Sequence, residues 1–336
     1  MAFNINSLGI DENYPLILNP QDPNHILILS ELENTSQVQI FDEIESQVAD
    51  LIKSNYPEVQ LNKSELSTLV SDFFSDKNKK EYGNWVYFPW KKELVHLLPE
   101  PEFKRVRTLR NNYKITPQEQ DELSKKKVGI VGLSVGQSVA FTMALERGFG
   151  ELRLADFDTL ELSNLNRLKA GVSNLGLEKV IIAARQIYEI DPYLKITLFR
   201  DGVTEENVDN FIESNGKLDL IIDECDSLDI KLLLREKGKE YGVPVIMETS
   251  DRGMLDIERF DLDPDLDFFH GYLKGIKRQD LKHLPNKEKV AIVLKITGLD
   301  TLSPRMKASL LEVGQSITSW PQLASGVVLG GASVAH

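Results

Sequence analysis

The chain has 336 residues, 41% of them hydrophobic, enough for one large domain or two ordinary ones with a real core. Its 39 lysines and arginines against 52 aspartates and glutamates leave a formal net charge of −13, which argues against non-specific nucleic-acid binding, because that needs a basic face. No apolar run reaches about 18 residues, so neither a nucleic acid nor a membrane is an expected partner.

The segment Met1–Pro15 lacks the charged and apolar regions of a secretory signal. Cys225 is the only cysteine, which excludes an intramolecular disulfide and a four-cysteine zinc site and suits a reducing cytoplasm. Residues 1–105 read as a small α+β region. Asn19-Pro-Gln-Asp-Pro-Asn24 is a turn cluster, and His25-Ile-Leu-Ile-Leu-Ser30 reads as a strand. Between Gln37 and Ser54 the apolar positions Val38, Phe41, Ile44, Val48, Leu51 and Ile52 recur at helical spacing, and Leu66, Leu69, Val70 and Phe73 predict a second helix over Ser64–Phe74. The aromatic stretch Gly83–Leu98 follows. Its Trp85, Phe88 and Trp90 read as packing residues, with a peptide groove as the other reading, and His96 reads as a buried, satisfied histidine.

Arg105-Val-Arg107-Thr-Leu-Arg110 leads to a helix start with Thr116 as N-cap and Pro117 in the first turn. Lys127–Val131 then suits a buried strand, Gly132-Leu-Ser134-Val-Gly136 a tight turn, Val139–Arg147 a helix, and Glu151–Ala155 a second strand ending on Asp156. That is half of a nucleotide-binding βαβ unit: turn N–H groups and a helix N-terminus for a phosphate, a strand-end acid for a ribose. Three readings compete for the turn. It is a dinucleotide fingerprint short of its third glycine, a G-x-S-x-G nucleophile elbow on Ser134, or a phosphate loop for ATP.

A polar loop runs from Asp156 to Arg167, and then strands and helices alternate. Helices are expected over Leu175–Glu189, Thr204–Ser214 and Ile230–Tyr241, and strands over Lys195–Phe199, Leu218–Asp223 and Val243–Met247. Such alternation implies a mostly parallel sheet covered on both faces. Gly132, Asp156 and Asp226 each follow the carboxyl end of a strand, so all three can converge on one crevice. Cys225 reads as a small packing residue. Asp261–Asp267 reads as a solvated turn, because it lacks the glycine and terminal glutamate of a calcium loop. Ser303-Pro304 opens a helix, and Gln322–Val334 predicts a small-residue helix whose Gly330-Gly331 pair packs closely.

Taken together, the glycine turn, Asp156-Phe-Asp158, Asn164-Leu-Asn-Arg167, Lys179 and Asp223-Glu-Cys-Asp226 resemble the ThiF/MoeB/HesA (E1-like) activating enzymes, from Arg107 to the C-terminus. Members of that family carry D-x-D…N-x-x-R…K after a glycine turn, and D-x-x-D at the end of a later strand. The resemblance implies an α/β fold, a Rossmann-like mostly parallel sheet with helices on both faces. It assigns residues 106–336 to an adenylation domain and leaves 1–105 as a substrate-recognition module. ATP would lie on Gly132, Ser134 and Gly136, its ribose on Asp156 with Asp158 in the same loop. Asn164, Arg167 and Lys179 would surround the triphosphate, and Asp226 would hold Mg²⁺. Arg110, with Arg107 in reserve, would reach the neighbouring subunit's ATP site in a homodimer.

The implied reaction joins a carboxylate to AMP and releases pyrophosphate. The expected substrate is the C-terminus of a carrier protein or peptide, with a small-molecule or tRNA-linked acid as the other class. Glu248–Gly253 would face that tail, with Arg252 either pairing with its carboxylate or forming a structural salt bridge. The chain lacks the paired zinc motifs and separate thioester cysteine of many relatives, so the activity is expected to stop at the acyl-adenylate or pass it to an external nucleophile. Ser134, Val135 and Gln137 stand where the family prefers glycines. They keep open the alternative of a nucleotide or dinucleotide binder without turnover.

Overall fold

The computed structural model describes residues 11–249, 251, 253–282, 284–298 and 300–336. Arg252 and most of the segment Met1–Pro15 lie outside the described residues. The chain divides into two compact units, one running to Glu119 and taking in Tyr188–Tyr193, the other holding Gln120–Ile187 and Leu194–His336.

The first unit contains β1 (Leu16–Leu18), α1 (Pro23–Glu33), β2 (Gln39–Asp42), α2 (Ile44–Asn55), α3 (Lys63–Phe73), β3 (Asn84–Phe88), β4 (Glu93–Leu97) and α4 (Glu100–Arg107). Its sheet has the order β1-β3-β4-β2, antiparallel except where β2 joins β4. The expected strand at His25–Ser30 is instead the middle of α1. Asp22 caps the helix by accepting the Asn24 N–H, Pro23 occupies the first turn, and Ile28, Leu29 and Leu32 meet the core at helical spacing. The expected helix from Gln37 begins only at Ile44, because Gln39–Asp42 pairs in register with Glu93–His96. A long-range ladder overrides the local periodicity there. His96 is fully buried and satisfied on both nitrogens, Nδ1 at 2.8 Å from Asp42 Oδ1 and Nε2 at 2.7 Å from the Tyr82 carbonyl. Trp85 stacks on its ring at 4.2 Å.

Next come α5 (Pro117–Leu123), then β5 (Lys127–Val131), α6 (Gly136–Glu146), β6 (Glu151–Ala155), α7 (Lys179–Ile190), β7 (Lys195–Phe199), α8 (Val208–Glu213), β8 (Leu220–Asp223), α9 (Leu228–Tyr241), β9 (Val245–Glu248) and β10 (Leu255–Glu258). Four more helices follow: α10 (Arg278–Leu281), α11 (Asn286–Thr297), α12 (Pro304–Leu310) and α13 (Ala324–Ala335). The six-stranded sheet runs β10-β9-β8-β5-β6-β7, parallel except for β10. This is the mostly parallel α/β sheet expected of the alternating pattern.

Two helices start later than their apolar pattern. A bridge between Thr159 and Glu178 keeps the chain extended up to Lys179, and Asn207 Oδ1 closes a turn on the Thr204 N–H before α8 begins. The core beneath β5 and β8 is a continuous apolar cluster including Phe211, Ile221, Leu234 and Phe260. At the chain's end α13 packs against α6. A Cβ at Gly331 would collide with the Ser138 backbone of α6, so glycine is what allows this approach, while one at Gly330 would meet the movable end of the Glu248 side chain on β9. No helix among the described residues is long and apolar enough to cross a membrane.

Candidate nucleotide site

The strand order reverses beside β5, and the loops after β5, β6 and β8 meet at that point, on the carboxyl ends of the parallel strands. Gly132 follows β5 with φ +89°. A Cβ there would sit 2.6 Å from the Cys225 backbone nitrogen and from the Glu224 carbonyl, so the absence of a side chain is what brings the first and third loops together. Gly136 is the first residue of α6, and no side chain caps this helix start. Its first N–H groups and the positive end of its dipole are thereby left for an anion.

Asp156, at the end of β6, is buried. Its Oδ2 accepts the Leu133 N–H at 2.6 Å and its Oδ1 accepts the Asp158 N–H at 2.7 Å. Burial raises its pKa above the ordinary carboxylate value, against those two N–H groups and the nearby Lys179 ammonium. One carboxylate thus ties the glycine turn to the following loop. Asp158 is exposed and forms an ion pair of 2.7 Å with Lys179, which is buried at the first position of α7.

Arg167 turns toward the glycine turn: its Nε donates to Ser134 Oγ at 3.1 Å and its Nη1 to Asn166 Oδ1 at 2.9 Å. Burial lowers the pKa of its guanidinium, and the Asp226 carboxylate acts in the opposite sense. Ser134, Arg167 and Asp226 therefore share one neighbourhood. A guanidinium cannot take a proton, so the group bonded to Ser134 is no general base, and the nucleophile-elbow reading loses its support. Asn164 is buried, with Oδ1 accepting the Glu161 N–H at 2.9 Å in a local cap.

The two aspartates of D-x-x-D have different surroundings. Asp223 is fully buried between Arg235 (Nη1, 2.6 Å) and Lys231 (Nζ, 3.1 Å). Burial works against its charge, but the two cations outweigh it and hold the carboxyl below its usual range. Asp226 is exposed. Between them, burial and the Asp223 charge push the Cys225 thiol well up, which makes it a poor nucleophile and fits a packing role. Mg²⁺ commonly takes one or two protein carboxylates and fills its other positions with phosphate oxygens and water. An exposed Asp226 beside Arg167 fits that partial role. Among the described residues no group of three or more His, Cys, Asp or Glu side chains could hold an ion unaided.

Two features escaped the sequence reading. Gln137, in the first turn of α6, is buried and holds the loop after Arg167, accepting the Lys169 N–H at 3.0 Å and donating to the Lys169 carbonyl at 3.2 Å. Its position in place of a glycine was the available signal. The second is a cavity of about 170 Å³ next to Asp226, walled by Val135, Leu228, Met247, Leu294, Met306 and Trp320 among others. Its lining comes from six separate segments, which no local pattern reveals. In the first unit, Arg110 is exposed on a short turn of 3₁₀ helix, Leu109–Asn111, whereas Arg107 is largely buried with its Nε 3.8 Å from Asp191 Oδ2.

The model of the ThiF family matches residues 107–254. An uncharacterised protein of Mycobacterium tuberculosis is 42% identical over 321 residues, which cover 96% of this chain and 42% of that protein. The tRNA threonylcarbamoyladenosine dehydratase 2 of Saccharomyces cerevisiae is 30% identical over 141 residues, 41% of this chain and 32% of that one. The ubiquitin-like modifier-activating enzyme 5 of Drosophila willistoni is 30% identical over 135 residues, 38% of this chain and 33% of that one. The chain thus spans less than half the length of each of these relatives.

Proposed function

Residues 107–254 are a ThiF-family domain, and from that premise we propose that the chain is an ATP-dependent adenylyltransferase of the E1-like type. It activates a carboxylate as an acyl-adenylate and releases pyrophosphate. The observation that carries this reading is the meeting of Ser134, Arg167 and Asp226 beside the uncapped start of α6.

The carboxylate is already a nucleophile at neutral pH, so no base has to act on it. Its oxygen forms a bond to the α-phosphorus while the bond from that phosphorus to the pyrophosphate oxygen breaks. Negative charge grows on the bridging and leaving oxygens. Arg167 and the first N–H groups of α6 stabilise that charge, more in the transition state than before it. Asp156 holds the ribose hydroxyls, and it aligns the turn through the Leu133 N–H. Lys179 reaches the phosphates on exchanging its Asp158 partner. Mg²⁺ held by Asp226 would supply further neutralisation of the phosphate oxygens.

Residues 106–336 form the adenylation domain in this reading, and 1–105 recognise the substrate. That substrate is the C-terminal carboxylate of a carrier protein or peptide. The Drosophila relative named for activating a ubiquitin-like modifier supports this class, and the yeast relative named for a tRNA base keeps a tRNA-linked acid as the other class. In a homodimer, Arg110 serves the partner subunit's site; its exposure favours it over Arg107, which already has a partner in Asp191.

The test is ATP–pyrophosphate exchange over a panel of acids. Exchange is expected for the wild type, and Arg167→Ala should lower it about 10²–10³-fold with ATP still bound. Tight ATP binding with no exchange for any acid would instead establish the binder without turnover, a reading that the Lys179–Asp158 pair favours.

A further inference from the structure

We infer that the acid activated here carries a compact apolar group, phenyl- or isobutyl-sized, beside its carboxylate, and that the cavity next to Asp226 receives it. This rests on the adenylation reading and names the substrate class for the same site.

Position comes first. Val135 of the glycine turn and Asp226 belong to the cavity wall, so a carboxylate placed at the α-phosphate lies at its edge. Size is the second point. A cavity of about 150 Å³ lined by aliphatic and aromatic side chains takes up benzene, and this one is about 170 Å³ with Leu228, Met247, Leu294, Met306 and Trp320 in its wall. A tail ending in glycine would leave that space unfilled.

Charge is the third point. Glu248 and Asp251 join Asp226 in the lining, which disfavours a second acidic group on the substrate. Two lysines line the cavity: the Lys231 ammonium is 3.1 Å from the Asp223 carboxylate and is committed to it, and Lys289 is outnumbered by the three carboxylates. The apolar walls come from α9, β9, α11 and α12, four elements arranged around one space.

The experiment uses the full chain with ATP present and four probes: N-acetylphenylalanine, N-acetylleucine, N-acetylglycine and N-acetylaspartate. Binding is read by calorimetry and turnover by pyrophosphate exchange. The phenylalanine and leucine probes should bind at least tenfold more tightly than the other two. Leu294→Trp, which fills the cavity, should erase that preference, and Met306→Ala, which enlarges it, should move the preference toward bulkier groups. Should Leu294→Trp fail to fold, Met306→Ala decides alone.

Equal binding of all four probes, or a preference unchanged in the folded variants, overturns the inference and leaves the adenylation reading standing. Selective binding without any exchange upholds the cavity assignment and sinks turnover. No binding by any probe overturns the cavity assignment, while exchange with a longer peptide would still uphold adenylation.

Discussion

Two strand-end aspartates flank the central strand β5, and they are handled in opposite ways. Asp156, after β6, is buried with neutral partners: two backbone N–H groups hold its oxygens and its pKa is raised. Asp223, after β8, is buried between Arg235 and Lys231, and its pKa is lowered. In the function proposed above the first binds the ribose, since a carboxylate held by N–H groups can still accept from hydroxyl donors. The second is held by two cations, and Asp226, further along the same loop, is exposed, as the role proposed for it with phosphate or metal requires. A matching pair of letters in the chain therefore hides a division of labour.

The largest expected effect breaks the second member. Asp223→Ala leaves two buried cations without their counter-charge, and urea denaturation at pH 7 should show a loss of about 3–5 kcal/mol. A loss below about 1 kcal/mol would show that Arg235 is held sufficiently by Glu258, its other close partner. Asp226→Asn should do the reverse: unchanged denaturation, with pyrophosphate exchange down about 10²-fold and a weakened response to Mg²⁺. Full activity in that variant would remove Asp226 from the site.

The smallest effect sharpens the first member. A carboxyl whose folded pKa is raised contributes stability below its unfolded pKa, and that contribution is lost as pH rises through the folded value. Asp156→Asn removes that titration but sets its NH2 group against one of the two backbone N–H groups, so it should lose about 1–3 kcal/mol at pH 7, while its KM for ATP rises about tenfold. Asp223 has the opposite sign: its contribution is present above the unfolded pKa and is lost as pH falls through the depressed folded value. Urea curves of Asp156→Asn, Asp223→Asn and wild type between pH 3 and 7 measure both slopes. Parallel slopes for the two variants would mean that the aspartates differ in nothing that matters to folding.

Much of this was legible in the chain. Gly132, Asp156 and Asp226 were placed at strand ends by alternation alone, and the core-facing positions of α2 followed from spacing. His25–Ser30 was not legible, because an apolar run of six fits either period and the cap at Asp22 decided it. Nor was Gln39–Asp42, whose partner strand lies about fifty residues away in the chain.

By itself the sequence determined the order of strands and helices from β5 to β9, the glycine that admits a neighbouring loop, and the residue types able to meet a phosphate. These are local matters of backbone freedom, period and charge. Only the tertiary structure decided which aspartate would be neutralised, that Arg167 would turn to Ser134, and that six distant segments would leave a largely apolar cavity beside Asp226. Burial and pairing belong to contacts between remote segments, and the same carboxylate is a structural ion or a ligand according to what folds around it.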